Sequence, residues 1–153
     1  VPGSSKRRAA AVLAAVWAGV ILGVAAIGTP AGFALVPTDV AGRLAGFMLR
    51  REAYLSIAMS VVLFIIVRAQ ARDAARRREG SVMSTEVLLV MGALFCTVFG
   101  HFGLRSAMDA ARAGEGMLSF GALHGVSVAF FGLKGLLVLA LAWRLTASRP
   151  AAG

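Results

Sequence analysis

The 153-residue sequence has one cysteine, Cys96, four prolines, seven acidic residues and no asparagine. A single cysteine closes no intrachain disulfide and supplies neither a multi-cysteine zinc site nor a ferredoxin-type cluster. HExxH, the P-loop and GxSxG are all missing, and no carboxylates pair within the apolar stretches, so an enzyme is not expected. The lack of Asn beside abundant Ala, Gly and Arg suggests a GC-rich bacterial genome. Charged residues make up only 15%.

What remains is apolar: 59% of residues are hydrophobic, 18 are glycine, and the mean hydropathy is +0.82. A water-soluble domain of 15.8 kDa cannot hide that much apolar surface, because small domains bury the smallest share of it. The expected solvent is therefore a lipid bilayer.

Using the charges as punctuation gives four apolar stretches, about 9–29, 52–68, 82–104 and 117–143. About 20 residues rising 1.5 Å each cross the hydrocarbon core, which the first, third and fourth achieve outright. The second is short between Tyr54 and Val67. The segment 39–51 before it is helix-compatible, with Val40, Leu44, Phe47, Met48 and Arg51 at three- to four-residue spacing and Thr38 or Asp39 able to cap it. One extended helix is expected; a kink at Arg50–Glu52 would instead leave an interfacial helix and a tilted span. The expected fold is all-α, one transmembrane domain over residues 1–153 built as a four-helix bundle.

The basic start Lys6, Arg7, Arg8 before an apolar run also has the look of a signal peptide, with a cleavage point near Ala25–Ala26. Cleavage would leave three spans and unbalance the loop charges, so an uncleaved first helix is expected. Ten basic residues fall on the side of the termini and the 68–80 loop, counting Arg144 and Arg149. Five fall opposite: Arg43, Arg50, Arg51, Arg105 and Arg112. The positive-inside rule then puts both termini and the 68–80 loop in the cytoplasm, in a bacterial inner membrane. The loop is expected to extend the second helix and to meet anionic lipid head groups, each arginine contributing about 1 kcal/mol. No aromatic residue interleaves with its charges, which argues against nucleic acid.

Small residues form GxxxG pairs at Gly19/Gly23, Gly42/Gly46 and Gly121/Gly125, with Gly132 farther along the last stripe. Such pairs let helix backbones approach closely, and packing inside the bundle is expected over a dimer seam. Polar groups within spans carry more information, because burying them is costly unless they are paired or functional. Lys134 is foremost: its stem can snorkel toward the cytoplasmic end, or it can pair with Glu86 if the third and fourth spans are neighbours. His101 and His124 fall at similar depths and are weak candidates for haem or transition-metal ligands; helix–helix hydrogen bonds are the plainer reading, and no cofactor is expected. Ser127 lies one turn below His124, broadly on the side of Lys134. The outer rim holds Asp39, Arg43, Arg50, Arg51 and Glu52 on one loop and Arg105, Asp109, Arg112 and Glu115 on the other, with Arg105 and Asp109 spaced to pair on a helical turn. Trp143 has the position of a membrane-belt residue, and Trp17 that of a bundle residue.

The run Val40–Ser56, carrying Gly42, Arg43, Gly46, Arg50 and Tyr54, and the run Phe120–Val128, carrying Leu123, His124 and Ser127, resemble the transmembrane-protein-205-like family of small four-span membrane proteins, closest to its bacterial members. Pro30 joins the positions the resemblance covers. It implies four spans over nearly the whole chain and no particular activity. An Asn commonly found four residues after the serine is here Phe131, which the resemblance implies removes a polar partner of Ser127. The leading expectation is a non-enzymatic structural or accessory protein that assembles with itself or with another membrane protein. The alternatives are a small transporter with a polar path at Glu86, His124 and Lys134, and a haem- or metal-binding electron-transfer subunit.

Overall fold

The computed structural model describes the backbone of residues 2–147 and the side chains of residues 5–147, so Val1 and Arg149 lie outside the described residues. Every regular element among them is helical. α1 (Pro2–Gly23) runs through a π turn (Val24–Gly28) into α2 (Thr29–Leu35). After Val36–Pro37 comes α3 (Thr38–Arg76), then α4 (Thr85–Thr97). A second π turn (Val98–Gly103) leads into α5 (Arg105–Arg112), and α6 (Phe120–Thr146) follows. Four continuous helical runs, Ser5–Leu35, Thr38–Arg76, Thr85–Arg112 and Phe120–Thr146, are each long and apolar enough to cross a membrane. This is an all-α membrane protein with four such helices.

Local chemistry sets the breaks. Val36 is extended, as the residue before a proline must tend to be, and Pro37 opens α3 with Asp39 in the first turn. Ser84 and Ser119 accept hydrogen bonds from the Val87 and Ala122 N–H groups and so cap α4 and α6. α3 and α5 both end in the same reversal. Glu79 N–H reaches the Ala74 carbonyl and Arg78 N–H the Ala75 carbonyl, while Glu115 and Gly114 do the same to Ala110 and Ala111. The left-handed position is glycine in the second case and arginine, Arg78 with φ 59°, in the first.

α3 is continuous through Arg50–Glu52, so the chain forms one extended helix there and not a separate interfacial helix. At 39 residues it is about 58 Å long, well beyond the roughly 30 Å of a hydrocarbon core. Arg68, Arg72 and Arg76 accordingly ride on its projecting end.

The helices form a ring in which α6 packs on α1 and α4, and α3 packs on the same two. α3 and α6 thus stand at opposite corners. The core lies along Ala10, Ala14, Trp17 and Ile21 of α1, Leu63 and Val67 of α3, Val87 and Val90 of α4, and Val138 and Leu141 of α6. All recur at three- to four-residue intervals.

The glycine stripes correct the expectation of packing inside the bundle. Gly19, Gly42, Gly46, Gly121, Gly125 and Gly132 are exposed, and a Cβ added at any of them would meet nothing within 4 Å. The close approaches use other glycines. A Cβ at Gly100 would stand 2.5 Å from that of Phe130, one at Gly92 would stand 3.1 Å from Leu137, and one at Gly135 3.5 Å from Ile21. The outward stripe arises because the inward face of α6 is claimed by Leu123, Lys134, Gly135, Val138 and Leu141.

Candidate functional site

Lys134 sits near the middle of α6, about 20 Å from either end at 1.5 Å per residue. It neither snorkels nor meets Glu86. Its Nζ donates to Glu52 Oε2 at 2.6 Å and approaches Ser56 Oγ at 3.4 Å. The side chains are 3% and 2% exposed for Lys134 and Glu52. Because α3 and α6 are diagonal, the two long side chains cross the centre of the bundle to meet.

Ser56 links this pair to α1. Ser56 Oγ donates to Glu52 Oε1 at 2.5 Å and accepts from Trp17 Nε1–H at 2.8 Å. With Lys134 as second donor, the single proton and both lone pairs of that hydroxyl are engaged. The ammonium also lies 4.6 Å from the centre of the Phe131 ring. Glu52, Ser56 and Trp17 are each 3% exposed or less. A low-dielectric surround strengthens each of these bonds and makes an unpaired member costly, which is why the buried charges come with polar partners. Chemically it is a closed clamp joining α1, α3 and α6. Its hydroxyl, ammonium and indole N–H are all engaged within it.

Glu52 therefore moves from the outer rim, where its place beside Arg50 and Arg51 put it, to the centre. The sequence did hold a signal. Ala41, Ala45, Glu52, Ser56, Ser60, Leu63 and Val67 fall on one helical stripe, all buried, whereas Arg50 and Arg51 point outward. Ser60 continues the polar part of that stripe, and its hydroxyl has no hydrogen-bond partner among the described residues.

The other candidates are dispersed. Glu86 pairs with Arg144 at 3.1 Å near the end of the bundle, where Arg7 caps α6 by donating to the carbonyls of Arg144, Leu145 and Ala147. A path through Glu86, His124 and Lys134 is not assembled, since Glu86 is held by Arg144 and His124 is exposed, stacked on Phe120 at 5.8 Å. His101 lies in the second π turn with its ring edge on Phe102, and its buried Nε2 has no partner among the described residues. No group of three or more His, Cys, Asp or Glu able to hold a metal occurs among the described residues. Ser127 has a partner despite Phe131: its hydroxyl donates to the Gly100 carbonyl at 2.9 Å, fastening α6 to the π turn.

At the rim Arg43 pairs with Asp39 at 3.0 Å. Asp109 pairs with Arg112 at 3.2 Å, three residues on, and not with Arg105. Arg105 opens α5 directly after the π turn, while Arg112 is drawn over the Phe120 ring at 4.6 Å and so stands beside Asp109. Trp143 is 76% exposed near the end of α6.

The family model described as Domain of unknown function (DUF4149) matches residues 12–116, and the chain belongs to that family. The matched stretch holds Trp17, Glu52 and Ser56 and stops before α6, which brings Lys134. No curated protein matches the chain, and no solved structure does.

Proposed function

We propose that this DUF4149 protein is a non-enzymatic component of the bacterial cytoplasmic membrane that assembles with further copies of itself. One observation carries the reading. The GxxxG glycines of α1, α3 and α6 face out of the bundle with open space over them. Lipid offers no hydrophobic drive for helix association, so surfaces that let backbones come close are what bring membrane helices together. The clamp at Glu52 and Lys134 fits a role as internal scaffold, since it fixes α3 against α6 and so sets which faces turn outward. Both termini are assigned to the cytoplasm from the basic residues Arg7, Arg8, Arg68, Arg72, Arg76 and Arg144, and the 68–80 arginines are assigned to anionic head groups. The motif resemblance to the transmembrane-protein-205-like family, carried by Val40–Ser56 and Phe120–Val128, belongs to this proposal and agrees with a small four-span product.

The test is the copy number in native membranes by single-molecule photobleaching, for the wild type and for Gly121→Leu/Gly125→Leu. The expected result is a wild-type oligomer that the double variant shifts to monomer with unchanged helical content. A wild-type monomer at every membrane density overturns self-assembly and leaves another membrane protein as the partner to seek.

A further inference from the structure

Beside the first π turn an open groove of about 270 Å³ runs between α1 and α3, lined by Val20, Val24, Phe47, Met48, Arg51, Glu52 and Leu55. The wider turn at Val24–Gly28 bears on its shape, because Met48 packs against the bare backbone of Gly28, where a Cβ would lie 3.2 Å from its sulfur. The walls are almost entirely apolar. Its two charged residues differ in state. Glu52 is neutralised by Lys134 behind the wall. Arg51 is exposed, stacked over the Phe47 ring at 5.2 Å, and forms no ion pair among the described residues. Arg43, earlier on the same helix, has Asp39. Arg50 adds a second exposed cation at the preceding position, with no ion pair among the described residues.

A guanidinium on the outward face of a membrane helix needs an anion or water within reach. Here it stands beside a shallow, open apolar groove along which a hydrocarbon chain could lie. We infer that this groove binds an anionic phospholipid, its acyl chain against Val20, Val24, Met48 and Leu55 and its phosphate on Arg51. Phosphate geometry suits a guanidinium fork, and the local excess of positive charge favours an anionic head group over a zwitterionic one. The site is distinct from the arginines of residues 68–80, which lie at the other end of α3, and it does not depend on self-assembly.

The experiment is native mass spectrometry of the full chain in detergent with equal amounts of phosphatidylglycerol and phosphatidylcholine of matched chains. It is run on the wild type, Arg51→Gln, Arg51→Lys, Val24→Trp and Arg43→Gln. Retention of phosphatidylglycerol should exceed that of phosphatidylcholine by about fivefold, the equivalent of about 1 kcal/mol from one interfacial arginine. Arg51→Gln should erase that preference, Arg51→Lys should keep part of it, and Val24→Trp should lower retention of both lipids. Arg43→Gln should change nothing, and glycerol phosphate should fail to displace the lipid. Equal retention of the two lipids by the wild type, or an unchanged preference in Arg51→Gln, overturns the inference. So does displacement by glycerol phosphate, which assigns Arg51 to a free phosphate. Loss of oligomer in Val24→Trp with lipid retention intact also overturns it, in favour of a second copy in the groove.

Discussion

Glu52–Lys134 and Glu86–Arg144 are both carboxylate–cation pairs that fasten α6 to another helix, yet their surroundings are opposite. In the first the Lys134 and Glu52 side chains are 3% and 2% exposed; in the second Arg144 and Glu86 are 47% and 21% exposed. The buried pair has no solvent to fall back on, so it comes with Ser56, which bonds both partners and is itself held by the indole of Trp17. The outer pair stands where water and head groups supply what it lacks, and it carries no such escort. Burial, more than the charges themselves, decides how much of the surrounding structure an ion pair has to organise.

The strongest way to break this contrast is Lys134→Ala, which leaves the Glu52 carboxylate buried and unpaired. Removing one partner of a buried pair costs about 3–5 kcal/mol, to be read as a lowered midpoint in denaturant titration of the detergent-solubilised protein. The double change Glu52→Leu/Lys134→Met should recover most of that loss, because apolar replacement of a whole buried pair is often neutral. A double variant as unstable as Lys134→Ala would show that the pair itself, and not the orphaned charge, matters. Trp17→Phe narrows the question by keeping an aromatic ring while deleting the donor to Ser56 and part of the buried indole. A loss of about 1 kcal/mol for the hydrogen bond, with a further cavity term of about 1 kcal/mol, is expected by the same titration. Glu86→Gln should cost least, about 0–1 kcal/mol for a pair this open. That small effect should fade between low and high salt while the Lys134→Ala effect persists.

The long apolar stretches were legible, and with them the number and order of the four helices, because hydropathy and helix length are properties of contiguous sequence. The basic residues flanking them were legible for the same reason. The centre of the bundle was read only in half. Lys134 stood out as a charge in an apolar run, whereas Glu52 was hidden by two arginines that share its neighbourhood in sequence but not its side of the helix. Glu86 looked like the natural partner because it lies on a consecutive span, yet the lysine crosses the diagonal to α3. The glycine pairs misled in the other direction. A GxxxG spacing marks a surface that permits close approach without saying which neighbour takes it. Of the glycines that pack inward, Gly92, Gly100 and Gly135 belong to no such pair, whereas Gly28 and Gly32, which share the spacing, meet Met48 and Leu44 of α3.

Helicity, enough apolar length for four crossings and charge at the helix ends are written in the order of residues alone. Those features follow from local composition and from the rise of a helix set against the thickness of a bilayer. The tertiary structure alone decided that α3 and α6 stand at opposite corners, that Glu52 turns inward to meet Lys134 there, and that the glycine stripes face outward. A helix rotated by half a turn, about 180°, keeps its hydropathy and its length but exchanges its buried face for its exposed one. Only the packing of all four helices together selects that rotation.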